Sequence, residues 1–122
     1  MNKIVFFILL PFFVLSQHDN FYQVLEKGQF KENINKKESL LFDVRTMEEF
    51  KLGHIEGAIN IDYYEQKLFL DFFRKVEKSK PIYIYCRSGN RSRKSSEILK
   101  KLGFTKVYDL EGGYKNWIKG IN

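Results

Sequence analysis

The sequence is poor in cysteine, since Cys86 is the only one among 122 residues. A single cysteine forms no internal disulfide, which excludes the disulfide-stabilised scaffolds of small secreted proteins. Histidine is almost as scarce, and neither His18 nor His54 has the spacing from Cys86 that metal ligands show. We therefore expect a domain held together by an apolar core, with a free thiol, no metal site and no cofactor.

Only one long apolar run occurs, from Ile4 to Leu15, and Lys3 precedes it. It is shorter than the roughly 20 residues that a membrane-spanning helix needs. A basic residue, a short apolar run and a small residue, here Ser16, are typical of a signal peptide. We predict that residues 1–16 are cleaved off and that residues 17–122 form an exported domain, periplasmic or secreted. The alternative is an uncleaved anchor, which would be the chain's only contact with a membrane.

Acidic residues are outnumbered, because 21 Lys and Arg against 15 Asp and Glu give a net charge of +6. The basic residues lie in short separate groups, without the long stripe and interleaved aromatics of a nucleic-acid interface. We expect no nucleic-acid partner. The basic group that follows Cys86 is different, because its positive potential would concentrate small anions near the thiol.

Short apolar runs alternate with segments of helical periodicity, and no repeat or linker interrupts them. Strands are predicted at 21–25, 40–44, 58–61, 82–85 and 106–110. Helices are predicted at 29–34, 46–53 and 64–76, after the loop that follows Cys86, and after Gly112. This alternation predicts a single α/β domain with a central parallel sheet of about five strands and helices on both faces.

The stretch from Pro81 to Gly103 combines a strand, a short loop and a helix. Cys86 follows the apolar run of residues 82–85 directly, and Gly103 ends the helix as a C′ residue. The helix has an apolar face with helical spacing, made of Ser95, Ile98, Leu99 and Leu102. The thiol is therefore predicted to lie between the carboxyl end of a strand and the start of a helix.

That position favours an anion, because the first N–H groups of a helix are unpaired and the helix dipole is positive there. The thiolate is such an anion, and it is the reactive form of cysteine. Cys86 is the candidate nucleophile. The candidate anion-binding residues are Arg87, Ser88, Gly89, Asn90, Arg91 and Ser92.

Asp43 and Arg45 come at the end of another predicted strand, at the sheet edge where parallel α/β proteins bind ligands. They either support the cysteine loop or form a structural ion pair, with Glu49 as a candidate partner, and we favour the ion pair. Thr46 and Glu49 are spaced as a capping box that starts the next helix.

The loop Cys86-Arg-Ser-Gly-Asn-Arg-Ser92 resembles the active-site loop of single-domain rhodaneses, which carry sulfur as a cysteine persulfide. Three further segments resemble that family in the same order: 41–50 (LFDVRTMEEF), 53–60 (GHIEGAIN) and 110–117 (LEGGYKNW). The resemblance implies a rhodanese-like fold and a sulfurtransferase that uses Cys86. It also implies a small anionic sulfur donor, such as thiosulfate, and a thiol, cyanide or protein acceptor.

Two other functions remain open. One is a non-catalytic module with the same fold that binds a partner or senses redox state, although an intact cysteine loop argues against it. The less favoured one is a cysteine-dependent phosphatase or arsenate reductase. Phosphatases with a cysteine nucleophile place five residues between Cys and Arg, whereas four lie between Cys86 and Arg91, which makes a smaller ring.

Overall fold

The computed structural model describes residues 2–5, 8 and 20–120. The predicted cleavage site after Ser16 lies outside these residues. Within them, no helix has both the length and the apolar character that crossing a membrane requires.

Five strands and five helices alternate along the described chain. They are β1 (Tyr22–Leu25), α1 (Lys27–Ile34), β2 (Leu40–Asp43), α2 (Met47–Leu52), β3 (Ile59–Asn60), α3 (Gln66–Arg74), β4 (Ile82–Tyr85), α4 (Asn90–Lys101), β5 (Val107–Leu110) and α5 (Gly113–Trp117). The alternation and the order of elements match the sequence prediction.

The strands form one sheet in the order β1-β5-β4-β2-β3, and every neighbouring pair is parallel. The predicted parallel sheet of about five strands is confirmed. β4 lies in the middle, and all four of its residues are buried. Strands covered on both faces read as continuous apolar runs, which is why residues 82–85 lack the alternation of a half-exposed strand.

Two apolar layers cover the two faces of the sheet, as predicted. Ile82 and Ile84 pack into the layer that contains Leu99 of α4 and the buried phenylalanines of α3. Tyr83 and Tyr85 pack into the opposite layer with α1 and α5. Because successive strand residues point to opposite faces, the side chain of Cys86 falls on the α4 side.

Two predicted elements are shorter than the sequence suggests. The strand expected at 58–61 is only β3 (Ile59–Asn60), an edge strand that pairs with β2 alone. The helix expected at 64–76 begins at Gln66, because the Asp62 carboxylate accepts a hydrogen bond from Tyr64 N–H and closes a turn first. Apolar periodicity shows a helix's face but not the turn that precedes it.

Candidate active site

The sulfur of Cys86 is buried at the carboxyl end of β4, with only 1% of the residue exposed. Gly89 N–H donates a hydrogen bond to Sγ over 3.1 Å, and the Ser92 hydroxyl lies 3.3 Å from the same sulfur. One group of the loop and one from the first turn of α4 thus converge on the thiol. This is the arrangement that stabilises a thiolate.

Gly89 makes the turn between the strand and α4. Its φ of 110° is in the region that residues with a Cβ rarely adopt, and a glycine enters it without steric cost. As the N-cap of α4 it provides no side chain to bond the first N–H groups of the helix. The positive end of α4 therefore faces the sulfur without a competing side-chain acceptor at the cap.

The other predicted loop residues divide between the rim and the interior. Arg87, Ser88 and Asn90 are exposed at the mouth of the loop, Arg91 is half-buried and Ser92 is fully buried. Ser92 is the one whose side chain reaches the sulfur. The structure thus brings all six residues around Cys86 but gives them different access to a ligand.

The first backbone N–H groups of α5 bind carbonyl groups of the cysteine loop. Tyr114 N–H donates to the carbonyl of Cys86 over 2.8 Å, and Lys115 N–H donates to that of Arg87 over 3.1 Å. Gly113 makes this approach possible, because a Cβ there would lie 2.5 Å from the Arg87 carbonyl oxygen. The sequence predicted only a helix after Gly112, and the contact of that helix with the loop was not predicted.

Arg91 forms a two-pronged ion pair with Glu49 of α2, with N–O distances of 2.6 and 2.9 Å. Glu49 also completes the predicted capping box with Thr46, which is confirmed. Hydrogen bonding by Arg91 is the main reason why the pKa of Glu49 falls to about 2. Arg91 thus ties the cysteine loop to α2 and shares its charge with a carboxylate.

Arg87 differs from Arg91, because its exposed side chain makes no ion pair with any residue that the structure describes. It lines an open cleft of about 330 Å³. The other lining residues are Arg45, Glu49, Leu52, Gly53, Tyr114, Lys115 and Ile118. Arg87 is therefore the guanidinium of the loop that remains available to an anion.

Asp43 and Arg45 form a buried ion pair at 2.7 Å, as the favoured interpretation of these residues expected. The suggested link to Glu49 is wrong, because the Glu49 carboxylate binds Arg91 instead. Arg45 also donates to the carbonyl of Gly53 over 2.7 Å, and its guanidinium lies 4.2 Å from the centre of the Tyr114 ring. Burial opposes the charge of Arg45, but the hydrogen bonds that it donates to Asp43 raise its pKa.

The pair therefore contacts the helix that anchors the cysteine loop and does not contact the sulfur. Its second partner, Tyr85 of β4, lies with its ring 5.6 Å from the guanidinium. The role of supporting the loop stays a prediction, and the structure supplies a route for it through Tyr114.

Asp109 of β5 is a buried carboxylate that sequence analysis missed, and it is 1% exposed. Its Oδ2 accepts a 2.5 Å hydrogen bond from the Tyr22 hydroxyl. Burial raises the pKa of Asp109 to about 6, although hydrogen bonds from Tyr22 and Ser92 oppose the rise. The available signal was an acidic residue inside an otherwise apolar strand, in phase with Val107 on the α4 side.

A metal site is not evident in the described part of the chain. No three histidine, cysteine, aspartate or glutamate side chains there lie close enough together to ligate an ion.

Residues 26–119 match the model of the family described as the rhodanese-like domain. The match includes β2, the whole cysteine loop and the two glycines, Gly112 and Gly113, at the start of α5. It therefore covers every residue that contributes to the site apart from Tyr22.

Two curated relatives illustrate the range of proteins that contain such a domain. The chain is 42% identical over 86 residues to thiosulfate sulfurtransferase 16, chloroplastic, of Arabidopsis thaliana, covering 63% of this chain and 72% of that protein. It is 34% identical over 97 residues to the tRNA uridine(34) hydroxylase of Pelagibacter ubique, covering 80% of this chain. It spans about a third (32%) of the hydroxylase's length.

Among solved structures, a rhodanese-related protein from Thermoplasma volcanium superimposes with a TM-score of 0.68 at 33% sequence identity. The aligned part covers 80% of this chain and 92% of that one. The shared fold thus includes nearly the whole of the neighbouring protein.

Proposed function

This chain belongs to the rhodanese-like domain family, and we propose that it is a sulfurtransferase that carries sulfane sulfur as a persulfide on Cys86. The observation that supports this most is the convergence of Gly89 N–H and the Ser92 hydroxyl on Sγ, at 3.1 and 3.3 Å. These groups stabilise negative charge on the sulfur at the start of α4.

In the proposed reaction the Cys86 thiolate attacks the outer sulfur of thiosulfate or a similar donor. The new S–S bond forms as the old one breaks, and sulfite leaves with the bonding electron pair. A thiol or cyanide then attacks the terminal sulfur of the persulfide, takes it, and returns Cys86 to the thiolate. The loop donors hold the sulfur's charge before and after each transfer.

The two arginines of the loop have separate parts in this proposal. Arg87 binds the anionic donor at the open cleft, since its side chain is exposed and unpaired among the described residues. Arg91 holds the loop against α2 through Glu49 and adds positive potential near the sulfur. Together the two guanidinium groups attract anions to the thiol.

The test is a direct measurement of sulfur transfer. Incubated with thiosulfate, the protein should gain the mass of one sulfur atom on Cys86, and added cyanide should release thiocyanate. Cys86→Ser should do neither, because a hydroxyl cannot carry a transferable sulfane sulfur.

If the mass gain appears without turnover on cyanide, the protein is a carrier for a specific thiol or protein acceptor. If a folded protein with a reduced Cys86 gains no sulfur from thiosulfate or other sulfane donors, the sulfurtransferase proposal fails. The non-catalytic binding or redox-sensing module then takes its place.

Donor binding by the loop is tested by Arg87→Ala, which should raise the KM for thiosulfate roughly tenfold, the effect of losing about 1.4 kcal/mol from a charged contact. Arg91→Ala should lower kcat/KM as well, because it frees the loop and exposes an unpaired Glu49. The matched control is Lys94→Ala, which also removes one positive charge, from an exposed position on α4. An Arg87→Ala enzyme with the KM of the Lys94→Ala enzyme would contradict the assigned role.

A further inference from the structure

A line of buried polar groups leads from the active-site sulfur into the protein. Cys86, Ser92 and Asp109 are each at most 1% exposed, and Tyr22 closes the line at its far end. The line crosses from β4 through the first turn of α4 to β5 and β1. Buried polar groups are costly unless each finds a partner, so the hydrogen bonds along this line are informative.

Ser92 has one proton and more than one acceptor for it. Its hydroxyl lies 3.3 Å from Cys86 Sγ and 3.2 Å from the carbonyl oxygen of Gly89. Asp109 is a further neighbour, because hydrogen bonding by Ser92 lowers the pKa of its carboxyl group. A hydroxyl rotates readily between acceptors, so the proton of Ser92 can be turned from the Gly89 carbonyl towards the carboxylate.

Asp109 has one satisfied oxygen and one unsatisfied oxygen. Oδ2 accepts the hydrogen bond of Tyr22, whereas Oδ1 is buried and accepts none from the described residues while Ser92 donates to Gly89. An unpaired buried carboxylate oxygen is unfavourable. It is therefore ready to accept a proton from the Ser92 side.

We propose that Cys86 and Asp109 share one negative charge, and that the proton passes between them through the Ser92 hydroxyl. When the thiol ionises, its S–H proton goes to Ser92 Oγ, and the former Ser92 proton goes to Asp109 Oδ1. The products are a thiolate, an intact serine and a neutral carboxylic acid, so no proton enters or leaves. Asp109 is in this sense a positioning residue that acts on the sulfur through Ser92.

Sharing one charge avoids placing two anions in the same buried site. Asp109 of β5, Cys86 after β4 and Arg93 of α4 act electrostatically on Tyr22 of β1, and Arg91 of α4 acts on Cys86. Tyr22 stays neutral, since burial followed by the charge of Asp109 raises its pKa. Two cations lie near a double anion: Arg91 acts on Cys86 but shares its charge with Glu49, and Arg93 is exposed, so neither offsets it fully.

A shared charge has a distinctive effect on the reactivity of Cys86. Once the pair has lost its first proton, the ratio of thiolate to thiol depends on the two groups and no longer on pH. The pKa of Asp109, raised by burial to about 6, marks the start of this range. The reactivity of Cys86 should therefore stay constant through neutral pH.

The experiment measures the rate at which iodoacetamide, a small neutral reagent, alkylates Cys86 between pH 5 and 8.5. For the unmodified protein the rate should rise tenfold per pH unit up to about pH 6 and then level off. In Asp109→Asn the alkylation rate should rise with pH in the same way below pH 6, and it should continue to rise above pH 6 without levelling off. At pH 8 the variant should react up to about a hundredfold faster than the unmodified protein, because its rate continues to rise tenfold per pH unit over the two units above pH 6.

Tyr22→Phe is the matched variant, because it keeps the carboxylate and removes only the hydroxyl that lowers the pKa of Asp109. The plateau should then begin at a higher pH, and the alkylation rate on the plateau should be higher by tenfold for each pH unit of that shift. This variant also decides the question should Asp109→Asn fail to fold. Profiles of the same shape in the unmodified protein and both variants would overturn the proposal, as would a slower reaction of Asp109→Asn at pH 8.

The inference deepens the proposed sulfurtransferase function, but its test does not depend on that function. Alkylation needs only the thiol, so a protein that shows the plateau yet gains no sulfur from thiosulfate keeps the shared charge and loses the sulfurtransferase proposal. A protein that transfers sulfur but shows no plateau keeps the sulfurtransferase proposal and loses the shared charge.

Discussion

At the scale of single residues, two similar arginines of one loop have different surroundings. Arg91 lies in the first turn of α4 and faces Glu49, whereas Arg87 precedes the helix and points into the open cleft. A partly buried ion pair restrains a side chain, whereas an exposed guanidinium stays available to a ligand. The role of each arginine thus follows from its neighbours and not from its residue type.

The Glu49–Arg91 pair makes stability depend on pH in a predictable direction. The pKa of Glu49 in the folded protein is about 2, below its ordinary 4.5, because Arg91 binds the charged form. The pair's stabilisation is therefore complete above about pH 4.5 and is lost as pH falls towards 2. Because the Glu49 side chain is 30% exposed, solvent screening reduces its contribution to about 1–2 kcal/mol.

Glu49→Gln should lower the free energy of unfolding by that amount at pH 7 and by almost nothing near pH 2. Denaturant unfolding at several pH values measures the difference. The control is Glu48→Gln, which removes the same charge from an exposed position in the same helical turn. A loss of stability that is equal in both variants, or constant with pH, would show that the ion pair is not its source.

At the scale of elements, the site depends on how α5 meets the cysteine loop. The first N–H groups of α5 bind the carbonyls of Cys86 and Arg87, so the loop's backbone is held from one side while its N–H groups face the sulfur. This places the loop's shape under the control of a helix of only five residues. A change at the start of α5 should therefore affect the chemistry more than its distance in sequence suggests.

Gly113→Ala tests this contact. The new Cβ would lie 2.5 Å from the Arg87 carbonyl, at a φ of 63° that alanine adopts with strain, so we expect a loss of about 2–4 kcal/mol. Displacing the loop should also remove most of the proposed sulfurtransferase activity. Unfolding and sulfur-transfer assays measure the two effects.

Gly120→Ala is the matched control for this substitution. Its φ is 83°, but a Cβ there meets nothing within 4 Å, so it should cost only about 1 kcal/mol and leave activity unchanged. If both substitutions cost the same, backbone strain alone explains the loss and the contact with the loop is not important.

At the scale of the whole molecule, the sheet brings the site together. Because all five strands are parallel, their carboxyl ends lie at one edge, and β2, β4 and β5 deliver Asp43, Cys86 and the start of α5 to it. The two apolar layers then fix α4 on the sulfur's side and α5 on the other. Ligand sites of open parallel sheets are found at this edge for the same reason.

We also propose that the chain is exported and that residues 1–16 are removed, since they have the basic, apolar and small residues of a signal peptide. The protein isolated from its native cells should then begin at Gln17 and be found outside the cytoplasm. N-terminal sequencing or intact mass, with cell fractionation, checks both points. A full-length protein in the cytoplasmic fraction would contradict the proposal.

The sequence by itself determined the order of the elements, the fold class and the position of Cys86, the proposed nucleophile. Residues 82–85 form a buried strand because their apolar run requires two covered faces, and Thr46 with Glu49 starts α2 because a capping box is a local structure. Cys86 was found in the same way, since the strand, the loop and the helix around it are continuous in sequence. Features of this kind depend on neighbours a few residues apart.

Only the tertiary structure decided which distant side chains meet. Glu49 lies 42 residues from Arg91, and Tyr22 lies 87 residues from Asp109, so no local pattern relates the members of either pair. The register of parallel strands and the packing of α2 and α4 bring them together. That packing pairs Arg91, leaves Arg87 available, and places a buried carboxylate next to Ser92, because burial and hydrogen bonding are properties of the assembled core.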